Sequence, residues 1–375
     1  MLRIVLGYSI GAFAISVGLG IIATAVPLVS VKEYSANELE LGIIGSLLAL
    51  PYILGCPIFG RISDRIGRYP ILFLGIIANS ITSILYIFSE ELMKIMILRI
   101  IEGLTLAMIW PIMDAIFGEL SKSYNKAIFI YNFSWSLGLM AGSMFIGLLL
   151  IFDISIVFIV AVIFNIIGIL MFYNNDYSIT HESKCSNEYV DRKNIILMFY
   201  SMFILGFSLF SFYSLFPLHA LNSQIDDYLI GYIIGMIGVA RTIVFITYGK
   251  ISNLISSHVL PIGMALLGIS MIICWKFSNI IGFILATIML GASVGLIYSN
   301  SISFITYVSS RGLYAGLLEL ALGLGEFIGP LTMGTLGFLY TPTLPYFIMS
   351  ISAILSSILF LIKKFFYIFK TKTSI

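Results

Sequence analysis

Six ionisable side chains interrupt long apolar runs: Arg99, Glu102, Asp114, Arg241, Glu319 and Glu326. A charge held in hydrocarbon costs about 3 kcal/mol or more, so each reads as a functional residue, or else as a member of a pair inside a bundle. Arg99 and Glu102 stand three apart, on one helical face, where they can neutralise one another as an intramembrane ion pair. Asp114 projects about 60° from Arg99 and about 120° from Glu102 around the same helix, which leaves it no cation close in sequence. Glu319 and Glu326 are seven apart and share a face. A carboxyl buried without a cation can take up and release a proton near neutral pH. Glu326, Asp114 and Glu319 are therefore the proton-coupling candidates, with pairing to a cation from another helix, such as Arg241, as the alternative. Glu326 is expected near the midplane, Glu319 nearer the cytoplasm, and Asp114 about four residues from the cytoplasmic end of its span.

The elements that must hold these groups are apolar helices. Of 375 residues, 60% are hydrophobic and 10% charged, and the mean hydropathy is +1.08. Soluble domains are about 45–50% apolar and about 25% charged, so the composition is that of a membrane protein. Polar punctuation divides the chain into twelve spans: 4–30, 40–59, 70–89, 92–118, 127–151, 154–173, 194–221, 228–248, 259–275, 280–307, 312–338 and 343–362. Backbone groups in lipid must be satisfied within the segment, so the spans are helices and the fold class is all-α. The first is read as an uncleaved span rather than a signal peptide, being too long for the apolar core of one.

A net charge of +2, with dispersed basic residues, gives no footing for a nucleic acid. The chain has no phosphate-binding glycine loop, no His-Glu-x-x-His helix and no Gly-x-Ser-x-Gly turn, and its histidines and three cysteines are scattered. No enzyme activity, cofactor or metal is expected.

Basic residues set the orientation, because Lys and Arg of short loops stay cytoplasmic. With the N-terminus inside, the cytoplasmic segments hold Arg3, Arg61, Arg65, Arg68, Lys122, Lys126, Lys184, Arg192, Lys193, Lys250, Arg311, Lys363, Lys364, Lys370 and Lys372, while only Lys32, Lys94 and Lys276 lie outside. Both termini are thus expected in the cytoplasm. The polar loop 174–193 divides the spans six and six, and the halves carry a repeat: Gly60-Arg61-Ile62-Ser63-Asp64 returns as Gly249-Lys250-Ile251-Ser252-Asn253. Gly142-Ser143 of the fifth span likewise answers Gly329-Pro330 of the eleventh. The expected organisation is a six-helix bundle over 1–173, a cytoplasmic linker over 174–193, a second six-helix bundle over 194–362 and a basic cytoplasmic tail over 363–375. Parallel six-span repeats point to a transporter that alternates access between its halves.

Residues 60–68 resemble the signature loop of the major facilitator superfamily, in which Gly60, Asp64, Arg65, Gly67 and Arg68 match the pattern after the second helix. Gly60 and Gly67 would permit a tight turn, and Asp64 could hold the halves together through the start of the eleventh helix, near Gly312. Arg99, Glu102 and Gly103 resemble the family's Arg-x-x-x-Gly motif. Gly138, Gly142 and Gly147 resemble the glycine-rich fifth helix of its drug/proton antiporters and sugar exporters, although Ser143 stands where that motif has proline; small residues spaced by four also serve helix packing. The resemblance implies a cavity lined by the first, fourth, seventh and tenth helices. The seventh then offers Tyr200, Phe203, Phe207 and Phe210, and the tenth Tyr298 and Asn300 with Ser293 and Ser301, a lining suited to a bulky amphipathic solute. The same aromatic stripe could instead pack the core or face lipid.

These readings converge on a monomeric secondary transporter in the plasma membrane that exports a small molecule in exchange for protons. A facilitator or importer of the same fold and a non-transporting receptor or scaffold are the alternatives. The charge bias requires Cys185, in the linker, to react with thiol reagents from the cytoplasmic side alone. Labelling by an impermeant reagent on intact cells would reverse the topology.

Overall fold

The computed structural model describes residues 2–123, 126–150, 153–173, 192–255, 258–306 and 311–372. Among them are twelve α-helices and no strand. In chain order these are α1 Leu2–Tyr34, α2 Glu38–Ile66, α3 Arg68–Ile87, α4 Leu92–Ser123, α5 Ala127–Leu149, α6 Ile154–Tyr173, α7 Arg192–Asn222, α8 Asp227–Ile255, α9 Val259–Lys276, α10 Ile280–Thr306, α11 Arg311–Leu339 and α12 Leu344–Lys372. Each contains a stretch long and apolar enough to cross a membrane. Most of the linker, Cys185 included, lies outside the described residues; Arg192 and Lys193 open α7.

Every expected span is a helix, but four run well past their apolar stretch on the face that carries the chain termini. α2 reaches Ile66 rather than 59, α4 Ser123 rather than 118, α8 Ile255 rather than 248, and the segment read as a tail continues α12 to Lys372. A charged residue ends a hydrophobic run without ending a helix; that takes a cap or a breaker. Gly67 supplies one for α2, at φ 104°, a left-handed conformation that favours glycine. At its other end α2 opens with a capping box, in which Asn37 Oδ1 accepts from the Glu40 backbone N–H at 3.0 Å and the Asn37 N–H donates to Glu40 at 2.9 Å.

Within the first six helices α1 packs on α5 and α6, α2 on α4, and α3 on α4 and α6; within the last six, α7 packs on α11, α8 on α10, and α9 on α10 and α12. Two larger contacts join the sets, α2 with α11 and α5 with α8. Both depend on close backbone approach. A Cβ at Gly42 would lie 2.4 Å from the Pro330 carbonyl oxygen, and one at Gly147 2.3 Å from that of Tyr228. The hydrogen bonds that cross between the sets, among described residues, lie from mid-membrane toward the face opposite the termini. Lys32 pairs with Asp227, Ser46 Oγ donates to the Phe327 carbonyl at 2.7 Å, and the Ser136 and Thr242 hydroxyls meet at 2.7 Å. Toward the terminal face the repeat-related Gly60 and Gly249 border open space. Among the described residues, the two sets of helices therefore close on one face and part toward the other.

Gly42→Val places a side chain against the α11 backbone, and overpacking of this kind costs about 1–3 kcal/mol. The balance is expected to move roughly five- to a hundredfold toward the state in which the closed face is open. The check is the labelling rate of a cysteine at Ser46, in a cysteine-free background, by an impermeant thiol reagent; an unchanged rate would mean that the contact yields without opening.

Candidate functional site

Between the two sets of helices lies a cavity of about 250 Å³. One wall comes from α1, α2, α4 and α5, the other from α7, α8, α10 and α11, and all six intramembrane ionisable residues line it. On α4, Arg99, Glu102, Leu106, Trp110 and Asp114 reach it because they recur every three or four residues along one face.

The deepest charges on that wall are paired. Arg99 Nη1 donates to Glu102 Oε2 at 2.8 Å, and Arg99 Nε donates to the Ile44 carbonyl at 3.4 Å. The same Glu102 oxygen accepts from the Tyr86 hydroxyl at 2.7 Å. Arg99 and Glu102 are both more than nine-tenths buried, and the pair is held by a second donor from α3.

The other carboxyls have no basic partner among the described residues. Asp114 accepts from the Tyr131 hydroxyl at 2.7 Å, and Glu319 from the Tyr298 hydroxyl at 3.0 Å. Asp114 is nine residues from the end of α4 rather than four, because α4 continues to Ser123, and its side chain is exposed to the cavity. Glu326 is 6% exposed and makes no hydrogen bond or ion pair to a described residue; Arg99, Glu319 and Glu102 are the charges near enough to act on it. Arg241 pairs with none of the carboxyls. Its Nε donates to Ser136 Oγ at 2.9 Å, and its guanidinium lies 4.6 Å from the centre of the Trp135 ring.

Of the aromatic stripe expected on α7, only Phe210 lines the cavity, where it joins Tyr298. Tyr200 hydrogen-bonds Ser356 of α12 at 2.8 Å, and Phe203 and Phe207 pack beside α11, whose Gly325 and Gly329 admit their backbone. Asn300 accepts from Tyr248 of α8. The lining face of α7 is instead Leu205, Leu209 and Tyr213, about 200° around the helix from Phe203, Phe207 and Ser211. The sequence reading also missed Tyr52, Trp110, Tyr131 and Trp135, which line the cavity. Helical spacing held a signal for Trp110, four residues before Asp114 on the same face.

The segment 60–68 is largely helix. Gly60 lies inside α2 and makes no turn; the turn is Gly67 alone. Asp64 pairs with Arg68 at 2.7 Å, and Arg68 reaches Glu119 of α4 at 3.3 Å. The signature charges thus tie α2 and α3 to α4 here. The expected tie from Asp64 to the start of α11, near Gly312, falls on a stretch whose side chains lie outside the described ones. On α5, Gly138 and Gly142 meet the α1 backbone and Gly147 meets α8, so all three serve close packing.

A family model described as Major Facilitator Superfamily matches residues 8–258. The chain belongs to that superfamily. Its members are transporters and not enzymes, and with twelve apolar helices among the described residues this one is a multi-pass membrane protein. Among relatives, the quinolone resistance protein NorA of Staphylococcus aureus is 25% identical over 115 residues, which is 31% of this chain and 29% of NorA. The chain therefore aligns with less than a third of that relative's length. An uncharacterized MFS-type transporter of Methanocaldococcus jannaschii is 21% identical over 347 residues, covering 87% of this chain and 89% of its own.

Solved structures share the fold. The nucleoside transporter NupG superposes with a TM-score of 0.76 at 12% identity, over 96% of this chain and 98% of that one. A bacterial homologue of the human lysosomal transporter Spinster, solved inward-facing and unoccupied, gives 0.72 at 14%, over 99% and 97%.

Breaking the buried pair from one side leaves Arg99 uncompensated, so Glu102→Ala is expected to destabilise the protein by about 3–5 kcal/mol. Tyr86→Phe, which removes one donor to the pair, is expected to cost about 1–3 kcal/mol. Unfolding of the purified protein in mixed micelles would measure both, and equal, small losses would show that water compensates Arg99.

Proposed function

We propose that this superfamily member is a proton-coupled exporter of a small molecule, working in the plasma membrane with both termini in the cytoplasm. The bundles 1–173 and 194–362 would rock about the cavity, and the terminal face, open here, would be the cytoplasmic one. One chain supplies both walls, so a monomer suffices. The similarity to NorA supports the outward direction.

Glu326 carries the coupling. It is a buried carboxyl in the cavity wall, without a hydrogen-bonding partner among the described residues, on the helix that packs against α7 and, across the halves, against α2. Ionising such a group requires neutralisation or hydration, whereas protonating it removes that demand. Loading and unloading therefore changes the free energy of any state that differs in how far Glu326 is hydrated. Gly325 and Gly329 flank it, each against the α7 backbone, and Pro330 lies against Gly42 and Gly45 of α2. Motion at Glu326 is thereby transmitted directly to the contact that closes the far face. Asp114 and Glu319, each held by one tyrosine, line the route between Glu326 and the open face and would pass or share the proton.

Ser143 favours the second reading, a facilitator. It occupies the place of the exporters' proline and accepts a hydrogen bond from Thr24 at 3.0 Å, which ties α5 to α1. Proteoliposomes loaded with a solute chosen by thermal-shift screening separate the two. Glu326→Gln is expected to abolish accumulation driven by a pH gradient while exchange of labelled solute persists. A wild type indifferent to the gradient makes the protein a facilitator; a mutant that still pumps with unchanged pH dependence removes Glu326 from the mechanism.

A further inference from the structure

Besides the paired Arg99 and Glu102, the cavity walls carry charges of opposite sign that do not meet. Arg241 is 4% exposed, and its guanidinium is permanently charged. It rests on Trp135 and donates to the Ser136 hydroxyl at 2.9 Å and carbonyl at 3.4 Å, with no carboxylate in ion-pair range among the described residues. Two of its five donors are thus used within the protein. Arg99 shows what this protein does with a buried guanidinium that is merely structural: it supplies a carboxylate at 2.8 Å. On Arg241 that place is left to something else.

Asp114 and Glu319 present the reverse. Each accepts one tyrosine hydroxyl, has no cation against it among the described residues, and faces the same cavity. Between the two charged regions stands an aromatic wall. Trp135 meets Trp110 edge-on at 6.0 Å and Tyr298 edge-on at 6.1 Å, and Tyr298 is the donor to Glu319. A flat apolar body fits against this wall.

An organic cation in the cavity would answer the carboxylates and leave Arg241 unopposed, and an organic anion would do the converse. Filling the cavity with either one takes water from the charge left unanswered, which is what makes such binding unfavourable. We propose that the solute taken by this cavity is an aromatic zwitterion, with its anionic group on Arg241 and its cationic group facing Asp114 and Glu319. The proposal rests on the reading of the cavity as a transport site and names the class of solute.

Three indole compounds that differ only in charge test it: tryptophan, tryptamine and indole-3-propionate. Their affinities for the purified full-length protein follow from ligand-dependent thermal unfolding, which needs no gradient. Tryptophan is expected to bind at least roughly tenfold tighter than either of the others. Arg241→Gln is expected to weaken tryptophan and indole-3-propionate by roughly tenfold or more and to spare tryptamine, with Arg241→Lys between it and wild type. Asp114→Asn combined with Glu319→Gln is expected to weaken tryptophan and tryptamine and to spare indole-3-propionate. Tryptamine binding as tightly as tryptophan, no shift from any of the three, or equal loss of all three in Arg241→Gln would overturn the proposal. If Arg241→Gln does not fold, the wild-type ranking decides. These outcomes leave proton coupling through Glu326 standing, and a Glu326→Gln protein that still pumps leaves the ranking standing.

Discussion

Arg99 and Glu102 meet at 2.8 Å, each more than nine-tenths buried in the cavity wall, and helices of the first half converge on the pair. The pair needs its remaining hydrogen-bonding sites filled, because a buried ion pair with orphaned atoms costs more than it returns. Tyr86 from α3 and the Ile44 carbonyl from α2 fill two of them, so one electrostatic contact ties two helices, α2 and α3, to α4. Close by, Thr105 accepts from Asn79 at 3.0 Å, and Asn165 of α6 donates to Asn79 at 3.1 Å, which extends the polar network to a fourth helix. A wall fixed in this way gives the other half something rigid to move against.

The opposite wall is organised by the lack of such pairing. α11 brings two carboxyls to the cavity on one face and three glycines to its neighbours, Gly325 and Gly329 against α7 and Gly334 against α2. Smooth backbone contact lets helices slide or tilt with little interlocking of side chains, and the groups whose charge can change lie on the helix that has this freedom. Stiffness and responsiveness are therefore divided between α4 and α11.

Much of this was legible in the sequence, and the reason is the cost of charge in lipid. Six polar interruptions of apolar runs identified six residues, and all six line one cavity. The number and order of helices followed from apolar length in the same way. What misled was reading polarity as a helix end: α2, α4, α8 and α12 continue into the aqueous layer, which moved Asp114 deeper and turned Gly60 from a turn into a helical residue. The α7 stripe failed for a different reason. Phe203 and Phe207 are as apolar as Leu205 and Leu209, so in a helix apolar all round nothing in hydropathy tells the cavity face from the face packed on α11. Only a polar or charged neighbour four residues away, as Asp114 is to Trp110, breaks that degeneracy.

The tyrosines that accompany the carboxyls give the site a further property. Tyr131 on Asp114, Tyr298 on Glu319 and Tyr86 on Glu102 each present a hydroxyl that donates to an ionised carboxylate and, by turning about one bond, accepts from a protonated acid. The dipole that answers the change of charge is built into the wall and has only to rotate. Rotation of these phenols answers part of the change of charge at Asp114 and Glu319 from within the wall.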